Sequence, residues 1–280
     1  MSILAIGLCF GIVGNQRPAR AADPPRRVVS FNGCADQLVL ALADSEQIAA
    51  LSPNAADPTI SVMVDKARAY PLVGRTAETI APLNPDLIFV GPWDRPLTQQ
   101  MLRALGFRIA RVALINDVEG ALTQVREVAE LLGHPERGGA LAAEILAARE
   151  RLAQARRSLS ASALLVSNGG YTVGPASLAS GLMREAGLRP PPAAPSGFGG
   201  YVPLEKLIEL RPDYLVMASA IEVPNGQGTL YLTHPALRAL YPPAKRIILP
   251  ERYTLCGGPS LAAGFNYLAD VVTRLAKEAP

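Results

Sequence analysis

Apolar positions along this chain follow two spacings in turn: short continuous runs, and the period of about 3.6 that marks a helix face. "RRVVSF" (Arg26 to Phe31) is a β-branched run and predicts a buried strand. "ADQLVLALAD" then predicts a helix, "QIAALS" a strand, and "AETIAPL" a short helix stopped before Pro85. "DLIFVG" predicts a strand buried on both faces. "LTQQMLRALG", "FRIARVA" and "DVEGALTQVREVAELLG" continue as helix, strand and helix, with Gly106 ending the first helix and Asp117 capping the second. Alternating β and α is the pattern of a parallel sheet with helices on both faces.

A different texture follows. Pro135 to Leu159, "PERGGALAAEILAARERLAQARRSL", is dominated by strong helix formers. At 1.5 Å per residue it makes a helix of about 37 Å, long enough to span a molecule. The strand–helix alternation then restarts. "SALLVS", "DYLVMAS" and "KRIILP" predict strands; "SLASGLMREAGL", capped by Ser177, "PLEKLIEL", "HPALRALY" and "GPSLAAGFNYLADVVTRLAKE" predict helices. "RPPPAAPSGFGG" predicts a loop.

One element is written twice. Glu78, Leu83, Pro85 and Asp86 match Glu205, Leu210, Pro212 and Asp213 at a constant offset of 127. The expected fold is α/β: two parallel-sheet lobes joined by one long helix, with a ligand cleft between them. The expected division is an N-terminal lobe over 22–133, a linking helix over 134–159 and a C-terminal lobe over 160–280.

Open parallel sheets bind ligands beyond the C-terminal ends of their strands. That rule selects "NGCAD", "GPWDR", "SNGGY", "SAIEV" and "ERYTLCGG", together with the loop "GFGGY". Aromatic residues make up only 5% of the chain, yet the single tryptophan, Trp93, falls in one of these loops, as do Tyr171, Phe198, Tyr201 and Tyr253. Aromatic faces suit a large, flat ligand. Arg75, Arg95 and Arg252 supply cations for its carboxylates, and Asn32 a polar contact. The alternative for each is ordinary strand-end packing or a solvated surface position.

Composition narrows the classes. The chain is 49% hydrophobic, which suits a folded protein with a sizeable core. "ILAIGLCFGIVG" (Ile3 to Gly14) is too short for the roughly 20 residues of a membrane span. With "ARA" ending at Ala21, residues 1–21 read as a secretory signal peptide; an N-terminal membrane anchor is the alternative. Without Arg17 and Arg20 the chain carries 25 basic and 24 acidic residues, a net charge of +1, which gives no electrostatic case for nucleic acid. The sequence contains no G-x-S-x-G, Walker loop or H-E-x-x-H, and its two histidines, His134 and His234, both precede proline at a helix start. Catalytic residues, a metal site and a cofactor are not expected. Cys34 and Cys256 remain in an exported chain as a disulfide, as two free thiols, or as a two-thiolate metal site.

The doubled "E-x-(I/L)-x-x-L-x-P-D" element and the two-lobed pattern resemble the periplasmic binding proteins that serve importers of vitamin B12, ferric siderophores and haem. The resemblance spans about Arg26 to Lys277. It implies a monomeric periplasmic receptor that hands a metal chelate to the permease and ATPase of an ABC importer. It also implies that Glu78 and Glu205 meet arginines of the permease. A ferric siderophore and a corrinoid are the leading ligands. Haem is the alternative, with Tyr171, Tyr201 or Tyr253 as axial ligand. Readings outside transport are a two-lobed enzyme and a sensory module on the same fold.

Overall fold

The structure is a computed structural model that describes residues 23–156, 159–197, 199–219 and 226–278. The leader expected over residues 1–21, Phe198 and most of "SAIEV" lie outside the described residues.

The first half runs β1 (Val28–Ser30), α1 (Gly33–Leu42), β2 (Ile48–Ala50), α2 (Val64–Ala67), α3 (Ala77–Ile80), β3 (Leu87–Val90), α4 (Pro96–Ala104), β4 (Ile109–Arg111) and α5 (Val118–Leu132). The helix α6 (Pro135–Arg156) follows. The second half runs β5 (Ala161–Leu165), β6 (Tyr171–Val173), α7 (Leu178–Glu185), β7 (Leu188–Arg189), β8 (Gly199–Tyr201), α8 (Leu204–Leu210), β9 (Tyr214–Met217), α9 (Gln227–Thr233), α10 (Pro235–Leu240), β10 (Arg246–Ile248) and α11 (Pro259–Glu278).

Each half builds one four-stranded parallel sheet, in the orders β2-β1-β3-β4 and β7-β5-β9-β10. These are the same arrangement: first strand inside, second strand to one side, third and fourth to the other. In each half the strand order reverses between the two inner strands, β1 and β3 in one and β5 and β9 in the other. A crevice opens beyond their C-terminal ends at such a point.

Side chains alternate across these strands and so enter different cores. In β3, Leu87 and Phe89 join a central core, while Ile88 and Val90 face an outer cluster with Ile80 and Leu102. In β9, Val216 enters the central core, while Leu215 and Met217 face a second outer cluster with Leu207 and Leu237. The central core is continuous through both halves. Leu38 and Leu42 of α1, Ile145 and Leu152 of α6, Leu182 of α7 and Phe265 of α11 all belong to it. Sliding one half against the other would disturb this close-packed layer.

The doubled element has a local cause in each half. A short helix ends with Asn84 or Arg211 in the left-handed conformation, and proline follows. The next residue ties down the first strand of its own sheet. Asp86 accepts hydrogen bonds from the backbone N–H groups of Arg26 (2.6 Å) and Arg27 (3.0 Å). Asp213 accepts from the Ser162 N–H (2.8 Å) and hydroxyl (2.7 Å). The Ser162 bonds hold the Asp213 carboxyl below the usual carboxylate range.

Two features depart from the sequence reading. Tyr171 and the segment from Gly199, expected in loops, form the antiparallel ribbon β6–β8, in which Tyr171 pairs with Tyr201. The sequence pattern does not predict the helices α2 and α9 or the two-residue strand β7, because none carries a periodic apolar run. The C-terminal helix α11 packs along α6 and touches α1. No helix among the described residues is long and apolar enough to cross a membrane.

Candidate functional site

Beyond the strand ends of the first half lies a cavity of about 290 Å³, lined by Asn32, Arg75, Trp93, Asp94, Leu114 and Cys256 among others. Beyond those of the second half lies one of about 640 Å³. It is lined by Ser167, Asn168, Ser219, Thr229 and Arg252, with Pro58 and Thr59 reaching in from the first half. The segment between β10 and α11 serves both: Pro250, Glu251 and Arg252 wall the larger cavity, and Leu255, Cys256 and Gly257 wall the smaller.

The polar floor of the smaller cavity begins at the N-terminus of α1. Asn32 caps that helix, its side-chain oxygen accepting from the N–H groups of Cys34 (3.2 Å) and Ala35 (3.1 Å). Its amide donates to Asp94 Oδ2 at 3.2 Å, and the Gly91 N–H donates to the same oxygen at 2.6 Å. A Cβ at Gly91 would stand 2.6 Å from the Asn32 amide, so the close approach of the two loops requires glycine there. Asp94 is buried, at 7% exposure, while Arg75 stands exposed 3.8 Å from its other oxygen. Arg75 thereby lines the smaller cavity beside the Asp94 carboxyl group. Trp93, beside it, is 84% exposed, a large apolar face with nothing packed over it.

One turn into α1, Asp36 is fully buried. It accepts from the Ser52 N–H (3.0 Å) and hydroxyl (2.5 Å). Burial pushes its carboxyl up to about 6 against the pull of those bonds, and the charge of Asp94 pushes the same way.

Across the cleft, Arg252 donates to the Pro58 carbonyl at 3.2 Å, which links the two halves. Its guanidinium lies 4.9 Å from the centre of the Tyr253 ring. Cys34 and Cys256 are joined as a disulfide with an S–S distance of 2.07 Å, tying the start of α1 to the segment before α11.

Of the residues selected from the sequence, Asn32, Arg75 and Trp93 come together in the smaller cavity and Arg252 lies in the larger. Arg95, Tyr171, Tyr201 and Tyr253 are not among the lining residues. Arg95 stands exposed at the start of α4. Tyr171 and Tyr201 meet edge to face at 5.4 Å on the β6–β8 ribbon, and Tyr253 stacks on Tyr267 at 4.9 Å. Lining residues not selected individually include Asp94, Pro58, Thr59, Leu114 and Thr229. The strand-end rule reaches Asp94, inside the selected loop after β3, and, applied to β4 as well, Leu114; Pro58, Thr59 and Thr229 of α9 lie beyond it.

The two histidines serve the scaffold. His134 Nε2 lies 2.8 Å from Gln47 Oε1 and 3.2 Å from Asp44 at the α5–α6 junction. The His234 ring accepts from the Ala236 N–H and caps α10. Glu78 and Glu205 are exposed, each the second residue of its short helix, α3 and α8. The Glu78 carboxyl sits below its ordinary value because its own N–H and the Thr76 hydroxyl bond to it. Tyr231, on α9, is pushed up to about 12 by burial, with the charge of Glu205 adding to the effect.

Residues 28–232 match the family model of the periplasmic binding proteins. No curated protein sequence matches significantly. Solved structures do match in fold. A periplasmic haem-binding protein of Roseiflexus sp. RS-1 has 22% identity and a TM-score of 0.72, covering 90% of this chain and 99% of its own. A periplasmic haem-binding protein of Pseudomonas aeruginosa has 21% identity and a TM-score of 0.71, covering 89% and 93%. The periplasmic vitamin B12 binding protein of Vibrio cholerae has 16% identity and a TM-score of 0.69, covering 91% and 99%.

Proposed function

This chain belongs to the periplasmic binding protein family, and on that premise we propose that it is the solute receptor of an ABC importer, capturing an intact organic metal chelate between its lobes. One observation carries the reading. The two cavities open beyond the strand ends of both sheets and share the 250–257 segment as a wall, so one large ligand can touch both halves together.

The lining points to the class of chelate. Hydroxyls and amides (Thr59, Ser167, Asn168, Thr229) face apolar groups in the larger cavity, while Trp93, Leu114 and Arg75 edge the smaller. Such groups grip the organic shell of a ligand whose metal is already coordinated, as in a ferric siderophore or a corrinoid. The tyrosines that would serve haem as axial ligands do not line either cavity: Tyr171 and Tyr201 pair on the β6–β8 ribbon and Tyr253 stacks on Tyr267. Haem is therefore the second reading, supported by the fold likeness to haem-binding proteins.

Export to the periplasm through residues 1–21 and a monomeric receptor belong to the same proposal, as does the division into lobes 22–133 and 160–280 about the helix 134–159. Glu78 and Glu205 then face the permease, one from each lobe.

Fluorescence titration of residues 22–280 with cyanocobalamin, ferric hydroxamates and haemin, with inner-filter controls, tests the reading. A single saturable change in Trp93 emission at micromolar concentration or below identifies the ligand class. Silence with all three overturns the chelate assignment.

A further inference from the structure

Segment 250–257 is an unusual wall. It leaves the second sheet at β10 and enters the central layer at α11, lining one cavity with its first half and the other with its second. On the second-lobe side it is anchored by the stack of Tyr253 on Tyr267 and by the Ser260 hydroxyl donating to the Arg252 carbonyl. On the first-lobe side it is held by the Arg252 hydrogen bond to Pro58 and by the disulfide to Cys34. The first of these is a half-exposed contact that water can replace; the second is covalent and bridges a sequence separation of 222.

We propose that the Cys34–Cys256 disulfide is a positioning device for the ligand site: it holds segment 250–257 against the start of α1, so that the two cavities have a common wall only in the oxidised protein. The proposal rests on the reading of the cleft as the ligand site. Geometry confines the effect to the cleft. Cys34 opens α1 and Cys256 precedes α11, and both helices are fixed independently by Leu38, Leu42, Phe265 and Leu268 in the central core. Opening the bond therefore frees the segment without dissolving the scaffold. Cys34 is only half-buried and lines the smaller cavity, so a small dithiol can reach it. The exchange balances: the dithiol gives up two electrons and two protons and becomes a cyclic disulfide, and Cys34 and Cys256 take them up as two thiols.

The test has an arm that needs no ligand. Trypsin cleavage after Arg252 is followed in the oxidised protein, in the same protein after dithiothreitol, and in Cys34→Ser/Cys256→Ser, with cleavage after the exposed Arg68 as internal reference. The expected result is cleavage after Arg252 at least about tenfold faster in the opened forms, with the Arg68 rate and the far-ultraviolet circular dichroism unchanged. An unchanged Arg252 rate overturns the proposal, whatever the cleft binds. If the double variant fails to fold, the protein folded oxidised and then reduced gives the same reading. The second arm titrates oxidised and reduced protein with cyanocobalamin and a ferric hydroxamate. A loss of affinity of about tenfold or more on reduction is expected for whichever probe binds, and equal affinity in both forms overturns the positioning role. If neither probe binds the oxidised protein, the chelate reading fails and the cleavage arm alone decides on the clamp.

Discussion

Asn84 and Arg211, 127 positions apart, adopt one backbone conformation, with φ of 45° and 41°. Among the described residues no other non-glycine has positive φ. Each closes a short helix, and the proline that follows prevents the helix from continuing. The left-handed conformation costs an ordinary side chain about 1–2 kcal/mol, whereas asparagine visits it readily. The repeat is therefore unequal. Arg211→Gly is expected to raise stability by up to about 1 kcal/mol, after the extra freedom of glycine in the unfolded chain is counted. Asn84→Gly should change it little. Urea denaturation of the two variants checks the contrast; equal effects would mean that strain at position 211 is relieved by other means.

Asp36 gives the fold a pH dependence of unusual sign. Its folded pKa, about 6, lies above the ordinary 3.8, so the native state binds the proton more tightly than the unfolded chain. Its contribution is fully present below about pH 4, is lost as pH rises through 6, and is constant above that. Asp36→Asn keeps an acceptor for the Ser52 N–H and a group to pair with its hydroxyl, and removes the buried charge. The variant should be more stable than the parent at pH 8, by up to about 3 kcal/mol, and equal to it near pH 4. Urea midpoints at the two pH values decide. A variant less stable at pH 8 would show that the ionised carboxylate, not its neutral form, is what the Ser52 pair requires.

How far the sequence was legible follows from where each signal resides. The first sheet, three of the four strands of the second, the long helix and the caps at Asp117 and Ser177 are readable because periodicity and capping chemistry are local. The selected strand-end loops line the two cavities because parallel topology puts every such end on one side. The ribbon pairing Tyr171 with Tyr201 was not readable. It joins two glycine-rich segments about 30 residues apart, and neither carries the alternating pattern of a strand. Asp94 was passed over beside Trp93. Its importance comes from Asn32 and Gly91, which meet it only in three dimensions. The sharing of one core by both lobes was equally hidden, since α11 reads as an ordinary closing helix until its contact with α6 is seen.

Trp93 is expected to contribute to binding without contributing to stability. An indole at 84% exposure buries little in the free protein and has its apolar face to offer a ligand. Trp93→Ala should lower the affinity for the chelate by about tenfold or more and leave the unfolding free energy, from urea denaturation, within about 0.5 kcal/mol of the parent. Isothermal titration supplies the affinity, since the variant has lost its fluorophore. A variant that binds as tightly as the parent would place the ligand in the larger cavity alone.

Glu78 and Glu205 provide a prediction that separates docking from binding. Both are exposed, both occupy the second position of a short helix, and neither lines a cavity. As single, exposed helix-end charges, each contributes only weakly to the fold. Under the proposed docking role the pair, one on each lobe, meets a permease with a two-fold axis, where charge-assisted contacts to arginine would set encounter and register. Glu78→Ala/Glu205→Ala should therefore abolish uptake by cells while leaving chelate affinity unchanged within twofold. Each single substitution should weaken uptake less than the pair does, because one lobe keeps its contact. Uptake of radiolabelled ligand and a parallel titration of the purified variant give the two numbers. A fall in affinity with uptake lost in proportion would assign both carboxylates to the cleft, and retained uptake in the double variant would remove them from the docking surface.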